Sequence, residues 1–325
     1  MNGSPIDVKT LDKYSYSKIS TYEQCKFKFK LKYLDKNFLF SANVATDFGN
    51  LIHETEEAIA GCIQQHMPIN YMQLKNRFIY TCHTLALKYP EAWYSSDKSG
   101  RTYQEKMYVY LDAAIYRLEK YMQQHPTYEI IGIEQKFLYN YDNIHSFEGS
   151  IDRAFRDLAT GQIIIQDIKS WAVPIQPGEL KAPLQFTVYS LAAAQLYGVE
   201  YSNIRCEYDL PLCDVQQPAT SETLVEDGME TLDKLFKGIQ DGNFKPTVSA
   251  LCHWCPHNPM VNPKLIDERP QAVCPYFSTW QKSGDKVRDT LVKWEGLENV
   301  EVDRQFCISQ LKQSQQSVGG TQNAI

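Results

Sequence analysis

Two acids and a lysine are the residues best placed to do chemistry in this chain. Asp167 and Lys169 close the run Ile163-Ile164-Ile165-Gln166-Asp167-Ile168-Lys169. The run is β-branched and follows Ala159-Thr160-Gly161, so it reads as a buried strand entered from a turn. Side chains alternate along a strand, which puts Asp167 and Lys169 on one face and Ile168 on the other. A carboxylate and an ammonium are costly to bury unless they are paired or hold something. An isolated Asp-x-Lys is more simply a surface ion pair. Here the preceding strand, Ser146 to Phe155, carries Gly149-Ser150-Ile151-Asp152 and supplies a second acid. Asp152 and Asp167 on adjacent strands suit a hard-oxygen site for Mg²⁺ or Mn²⁺. Such an ion can bind and polarise a phosphodiester and lower the pKa of a bound water. Lys169 can then orient that water or offset charge on the phosphate. Glu134, one strand earlier, is either an outer member of the site or a surface acid at a strand end.

Those residues need a frame. Tyr128 to Phe137, Ser146 to Phe155 and Gln162 to Lys169 read as strands separated by Asn, Asp and Gly, the pattern of an antiparallel meander. Leu184 to Tyr197 reads as a helix behind Pro183, Asn203 to Leu210 as a fourth strand, and Ser221 to Ile239 as another helix. Upstream, residues 55–126 form a helical insertion, with helices over Tyr71 to Leu87 and Tyr103 to Gln124 broken near Tyr89-Pro90 and at residues 95–100. A helix is expected to start near Gly49, which places His53 in its first turn. A lone helical histidine is ordinarily structural or solvent-facing. From Tyr14 onward an amphipathic helix gathers Ile19, Tyr22, Phe29 and Tyr33 on one face. Ser20 with Glu23 offers a capping box, and Ser15 or Ser17 are equal starts. Lys28 and Lys32 point away from the aromatic stripe, while Lys26 and Lys30 fall in or beside it; the lysines are either a solvated basic side or, for Lys18, Lys26 and Lys30, contacts to nucleic-acid phosphates.

At 325 residues the chain is long enough for one large domain with insertions, or two small ones. No apolar stretch approaches the roughly 20 residues of a membrane-spanning helix. Met1 to Pro5 lacks a basic segment followed by an apolar one, so an intracellular location is expected: the cytoplasm, or its equivalent in a virus-infected cell. The net charge of −6 argues against a generally basic coat but leaves room for a local basic patch. Nine cysteines, an odd number, do not make a disulfide framework. Cys62, Cys82, Cys206, Cys213 and Cys307 are scattered singly and read as free thiols. Cys252-x₂-Cys255 is different, because two intervening residues let both sulfurs reach one metal, and Cys274 offers a third ligand.

Taken together the motifs resemble the PD-(D/E)XK nuclease superfamily, in its RecB-like branch. That branch orders a Gly-x-x-x-His helix, a Gly-x-x-Asp strand, an Asp/Glu-x-Lys strand and a Gln-x-x-x-Tyr helix. The chain has Gly49 to His53, Gly149 to Asp152, Asp167 to Lys169 and Gln185 to Tyr189, in that order. The resemblance implies an α/β (α+β) fold: a central mixed sheet flanked by helices, a restriction-endonuclease-like core with a helical insertion. It implies a nuclease domain over 14–283, with its cysteine-bearing part over about 243–280. A flexible start over 1–13, a helical extension over 284–308 and a Gln/Ser/Gly-rich disordered tail over 309–325 complete the chain. It also implies that His53 joins Asp152 and Asp167 as metal ligands, and that Gln185 and Tyr189 position the catalytic lysine and the DNA. Imidazole suits Mn²⁺ better than Mg²⁺.

The cysteines carry a second resemblance, to iron–sulfur exonucleases of the CRISPR-adaptation and AddB type. In these, one N-terminal and three C-terminal cysteines hold a [4Fe–4S] cluster that staples the chain ends. Here the matching residues are Cys25, Cys252, Cys255 and Cys274. The gap from Cys255 to Cys274 is longer than that pattern expects, and its four prolines suggest a loop. A Zn²⁺ site using Cys252, Cys255, Cys274 and either His257 or His253 is the alternative. The implied function is a metal-dependent DNA nuclease, an exonuclease on single-stranded DNA or DNA ends, in recombination, repair or replication. No Gly-x-x-x-x-Gly-Lys-Ser/Thr loop is present, so unwinding would come from a helicase or recombination partner. The competing reading is a non-catalytic DNA- or protein-binding module of nuclease-like fold. An RNA-directed nuclease is a third reading that no motif supports.

Overall fold

The computed structural model describes residues 13–39, 43–97, 99–174, 184–219 and 223–276. The expected extension over 284–308 and tail over 309–325 lie outside these residues, as do Pro183, Ser221, Cys307 and all but the last residue of the expected flexible start. In chain order the strands are β1 Lys13–Tyr14, β2 Tyr128–Asn140, β3 Ser146–Asp157, β4 Ile163–Ile168, β5 Ile204–Leu210 and β6 Val215–Pro218. The helices are α1 Tyr16–Gln24, α2 Lys26–Phe29, α3 Val44–Gln64, α4 Tyr71–Lys88, α5 Pro90–Tyr94, α6 Tyr103–Asp112, α7 Arg117–Gln124, α8 Leu184–Tyr197, α9 Leu224–Gln240 and α10 Leu265–Glu268. Among the described residues no helix is long and apolar enough to cross a membrane. The chain divides into two compact units: described residues 17–39 and 235–276 form one, and 13–16 with 43–234 the other.

The larger unit is built on a six-stranded mixed sheet ordered β1-β3-β4-β5-β6, with β2 also paired to β3. The β2–β3–β4 run is antiparallel, as the spacing of its turns predicts. The meander stops there. α8 crosses over and β5 pairs with β4 in parallel, which a short turn cannot achieve. β4 is buried at all six positions because it lies between two strands and under helices on both faces. One face is covered by α3 to α7, whose core joins Phe48, Ile52, Phe78, Tyr110 and Ile115 to Phe155, Ile164 and Ile168 of the sheet. α8 packs on β2 and β5 and is buried without a break from Leu184 to Ala193, so it shows no polar stripe.

The larger unit departs from the sequence expectation at α3, over residues 103–124 and at β6. α3 begins at Val44, where the Asn43 side chain accepts the Thr46 amide, so Gly49 lies inside the helix and His53 in its third turn. Gly49 has a packing role instead: an added Cβ would lie 3.2 Å from Ser170 Oγ. The single helix expected over Tyr103 to Gln124 is broken at Ala113, which leaves helical backbone geometry. β6 was not anticipated; it follows a turn at Asp214, which adopts a left-handed φ of 56°.

In the smaller unit the expected N-terminal helix is interrupted. It starts at Tyr16, ahead of the Ser20–Glu23 box, and Cys25 takes extended backbone (φ −158°, ψ 109°). Cys25 Sγ then caps α2 by accepting the Lys28 amide at 3.5 Å, and a π turn follows over Lys30–Leu34. Ile19, Tyr22, Phe27, Phe29 and Leu31 are buried. Phe29 stacks on Phe244, and Tyr22 OH donates to Asn243 O at 2.8 Å. The proline-rich stretch after Cys255 is a folded loop. Its ends are tied by Cys274 N donating to His257 O at 2.8 Å, and Arg269 anchors it by donating to Phe38 O.

Candidate active site

Sheet register puts the acids in one row. β3 and β4 pair from Arg156–Ile163 to Arg153–Gln166, so the next step of that register sets Asp152 across from Asp167. On the other side, Glu134 falls between the pairs Ile133–Arg153 and Gln135–Ile151, across from Asp152. The strands part at this point. In place of a main-chain carbonyl, Asp152 Oδ2 accepts the Ile168 amide at 2.8 Å. His53 reaches the same fork from α3, with Nδ1 3.6 Å from Asp152 Oδ2 and 3.9 Å from Glu134 Oε1. Among the described residues, His53, Glu134 and Asp152 are the group whose ligand atoms all lie within 4.8 Å of one another.

Asp167 is 1% exposed and both of its oxygens are engaged. Lys169 Nζ lies 2.6 Å from Oδ2, and Gln185 Nε2 donates to Oδ1 at 2.9 Å. Gln185 also donates to Tyr189 OH at 2.9 Å, as expected of residues one turn apart on α8. The motif glycine of β3 has a steric reason too: a Cβ on Gly149 would lie 2.8 Å from the Phe137 ring. Ser150, which sequence reasoning passed over, donates its hydroxyl to Glu134 Oε2 at 3.0 Å. Glu134 itself sits at φ 42°, a left-handed conformation that a strand glutamate rarely adopts. Nothing in its local sequence marks that strain.

The electrostatics are those of a buried acid pair that Lys169 and His53 offset only in part. Burial, then the Asp167 charge, pushes the Asp152 carboxyl up to about 7. Burial also raises Asp167, against the pull of Lys169. Burial lowers His53, but the carboxylates of Glu134, Asp152 and Asp167 outweigh it and leave the imidazole raised. The Tyr189 phenol is raised by burial and by the two aspartates, so it stays protonated. An imidazole nitrogen with carboxylate oxygens is a donor set suited to Mn²⁺ or Mg²⁺, and a cation would relieve the crowding that now favours protonation.

The cysteines meet elsewhere, in the smaller unit. Cys25, Cys252, Cys255 and Cys274 line one cavity with Lys28, His257 and Tyr276. Cys252 lies on a short helical turn, Ala250–Trp254, with Cys255 at its end. Cys274 Sγ donates to Tyr276 O at 2.8 Å. Burial, then the neighbouring Cys255, pushes the Cys274 thiol well up. Burial also raises Cys255. His257 is driven down to about 4 by burial, and its neutral ring meets Ala272 O through Nδ1 at 2.9 Å. His253 does not line the cavity; its ring packs edge-on against Trp254. Of the three lysines singled out for phosphates, Lys30 pairs with Asp35 at 2.8 Å, whereas Lys18 and Lys26 lie over the Tyr33 and Tyr22 rings.

A mixed sheet that gathers three acids, a histidine and a lysine at a strand fork defines a class: α/β enzymes that handle phosphodiesters with a divalent metal. The profile of the PD-(D/E)XK nuclease superfamily matches residues 13–260, and the chain belongs to that superfamily. The sheet with its flanking helices is the restriction-endonuclease-like core of that class. No curated protein matches the chain.

Proposed function

We propose that this nuclease acts on DNA, as an exonuclease on single strands or ends, within the RecB-like branch of its superfamily. The observation that carries the reading is the fork itself, where Asp152, Asp167, Glu134 and His53 converge beside Lys169. His53, Glu134, Asp152 and Asp167 would hold Mg²⁺ or Mn²⁺, which would polarise the scissile phosphate and acidify a bound water. Lys169 places a positive charge at the strand end, where it can offset charge developing on the phosphate. Asp167 fixes that ammonium by the 2.6 Å contact, and Gln185 holds the opposite oxygen of the same carboxylate. Tyr189, kept protonated, braces Gln185. Lys18 and Lys26 offer phosphate contacts to a strand, each backed by a tyrosine ring. The sequence given carries no phosphate-binding loop of the Gly-x-x-x-x-Gly-Lys-Ser/Thr type, so on this reading any unwinding would come from a helicase or recombination partner.

For the cysteines the same reading takes a [4Fe–4S] cluster over zinc. What supports it is that four cysteines line one cavity, one thiolate for each iron of such a cluster, without calling on a histidine. An anaerobic preparation should be brown with broad visible absorption; a colourless protein with stoichiometric zinc would overturn the assignment.

End-labelled and circular single-stranded DNA, incubated with Mn²⁺ or Mg²⁺, test the activity. Linear DNA should be degraded from its ends while circles survive, and Asp167→Ala or Lys169→Ala should lower the rate by roughly 10²–10³-fold or more. Binding without cleavage by the unaltered chain would instead make it a binding module of nuclease fold.

A further inference from the structure

The face of the sheet opposite the acid row carries a buried charge network that the mechanism above does not use. We propose that Arg153 is its keystone and a positioning residue for the active site: it clamps α3, β3 and β5 so that His53, Asp152 and Lys169 meet. The inference rests on the site reading given above.

Arg153 directly follows Asp152, is 1% exposed, and forms with Gln166 the final paired rung before β3 and β4 part. Alternation along β3 turns its side chain away from the acid row. Its Nη2 lies 3.3 Å from Glu56 Oε2 and 3.4 Å from Asp209 Oδ2. Each partner leads back to the site. Glu56 is one helical turn beyond His53 on α3, and its other oxygen accepts the Tyr110 hydroxyl at 2.8 Å. Asp209, on β5, accepts the Lys169 amide through its carbonyl at 2.9 Å. The Asp209 carboxylate is held in turn by Arg117 Nη1 at 2.7 Å. One guanidinium thus ties together the helix of the histidine, the strand of the first aspartate and the anchor of the lysine.

Stability alone does not account for this arrangement. Replacing buried ion networks by apolar side chains is often neutral or stabilising, whereas removing one partner leaves an uncompensated charge. Burial raises the Glu56 carboxyl and Arg153 opposes that rise, so the guanidinium favours the charged form that it holds. What the network supplies is a fixed distance between elements that each carry one member of the site. Metal ligands depend on such supporting groups, whose loss typically costs 10–100-fold in affinity or activity.

The test is Mn²⁺ binding to the whole chain without DNA, read from the free-ion electron paramagnetic resonance signal, beside thermal unfolding. Arg153→Met keeps the shape and removes the clamp; Glu56→Gln keeps the hydrogen bond from Tyr110 and removes the charge. Both should weaken Mn²⁺ binding by about 10- to 100-fold, with the Mn²⁺ needed for half-maximal cleavage rising in step. Tyr121→Phe, which removes a buried hydrogen bond to Glu207 on the same face, should lower the melting temperature and leave Mn²⁺ binding unchanged. If Arg153→Met does not fold, Glu56→Gln and the milder Tyr110→Phe decide. Affinities within about twofold of the unaltered chain, alongside a lowered melting temperature, would make the network purely structural and overturn the proposal. Asp152→Asn in the same titration probes the site reading separately: undiminished Mn²⁺ binding there would sink that reading whatever Arg153 does.

Discussion

The acid fork and the cysteine cavity are both places where protein groups converge, but they converge in different ways. At the fork the ligands come from adjacent strands and one packed helix, and hydrogen bonds from Ile168, Ser150 and Gln185 already hold them. In the cavity the sulfurs come from positions 25 and 252–274, and main-chain groups meet those of Cys25, Cys255 and Cys274. The first is organised by sheet register. The second depends on a small unit whose core is aromatic and whose longest loop is tied by the His257–Cys274 main-chain bond. On the proposed reading, a metal at the fork would be a reagent added to a finished frame, while a metal in the cavity would be part of the frame.

Removal experiments sharpen this contrast most. Stripping the cavity, or substituting Cys25→Ser, should cost the smaller unit several kcal/mol, since structural metal binding is folding free energy. Calorimetry should show its transition broaden or vanish. Chelating divalent ions with EDTA should abolish cleavage yet cost the larger unit about 3 kcal/mol at most, the mass-action value at 100 times Kd. Unfolding of the larger unit by EDTA would break the comparison.

Proton linkage gives the next effect. The Asp152 carboxyl is raised to about 7, so the metal-free fold favours its protonated form. Its contribution to stability is complete below the ordinary carboxylate range and is lost as pH rises through about 7. Metal competes with that proton. Mn²⁺ affinity should rise with pH through about 7 as Asp152 and His53 give up their protons, and Asp152→Asn should make the profile shallower. Calorimetric titrations at several pH values check this.

The smallest effects separate the two motif glycines. Gly149→Ala drives a Cβ into the Phe137 ring and should cost about 1–3 kcal/mol by denaturant unfolding. Gly49→Ala meets only the hydroxyl of Ser170, which can turn, and should cost less. Because Ser170 follows Lys169, that variant should show its effect in the rate of cleavage before it shows in stability.

Much of the fork was legible because strand alternation and register are properties of short segments. Ile163 to Lys169 announces a buried strand, and the acid on the strand before it follows from spacing. His53 was not legible in the same way, since its role depends on where a helix docks, and the helix start was misplaced by treating Gly49 as a boundary. Arg153, Glu207 and Asp209 left no signal. Polar residues that alternate with apolar ones on a strand usually face water, and here helices α3 and α7 cover them. The Cys252–Cys255 pair was legible from its two-residue spacing. Cys274 was legible as a third ligand, but the main-chain bond to His257 that brings it back was not.

Glu134 has a consequence for how this protein would drift under selection. Its left-handed backbone costs on the order of 1–2 kcal/mol that glycine would not incur. A population selected only for heat tolerance would find Glu134→Gly an early improvement, and would lose a carboxylate from the fork in the same step. On the proposed reading, persistence of a glutamate there is a readout of selection for chemistry, and laboratory evolution for thermal resistance with cleavage unmonitored is a route to watch that readout disappear.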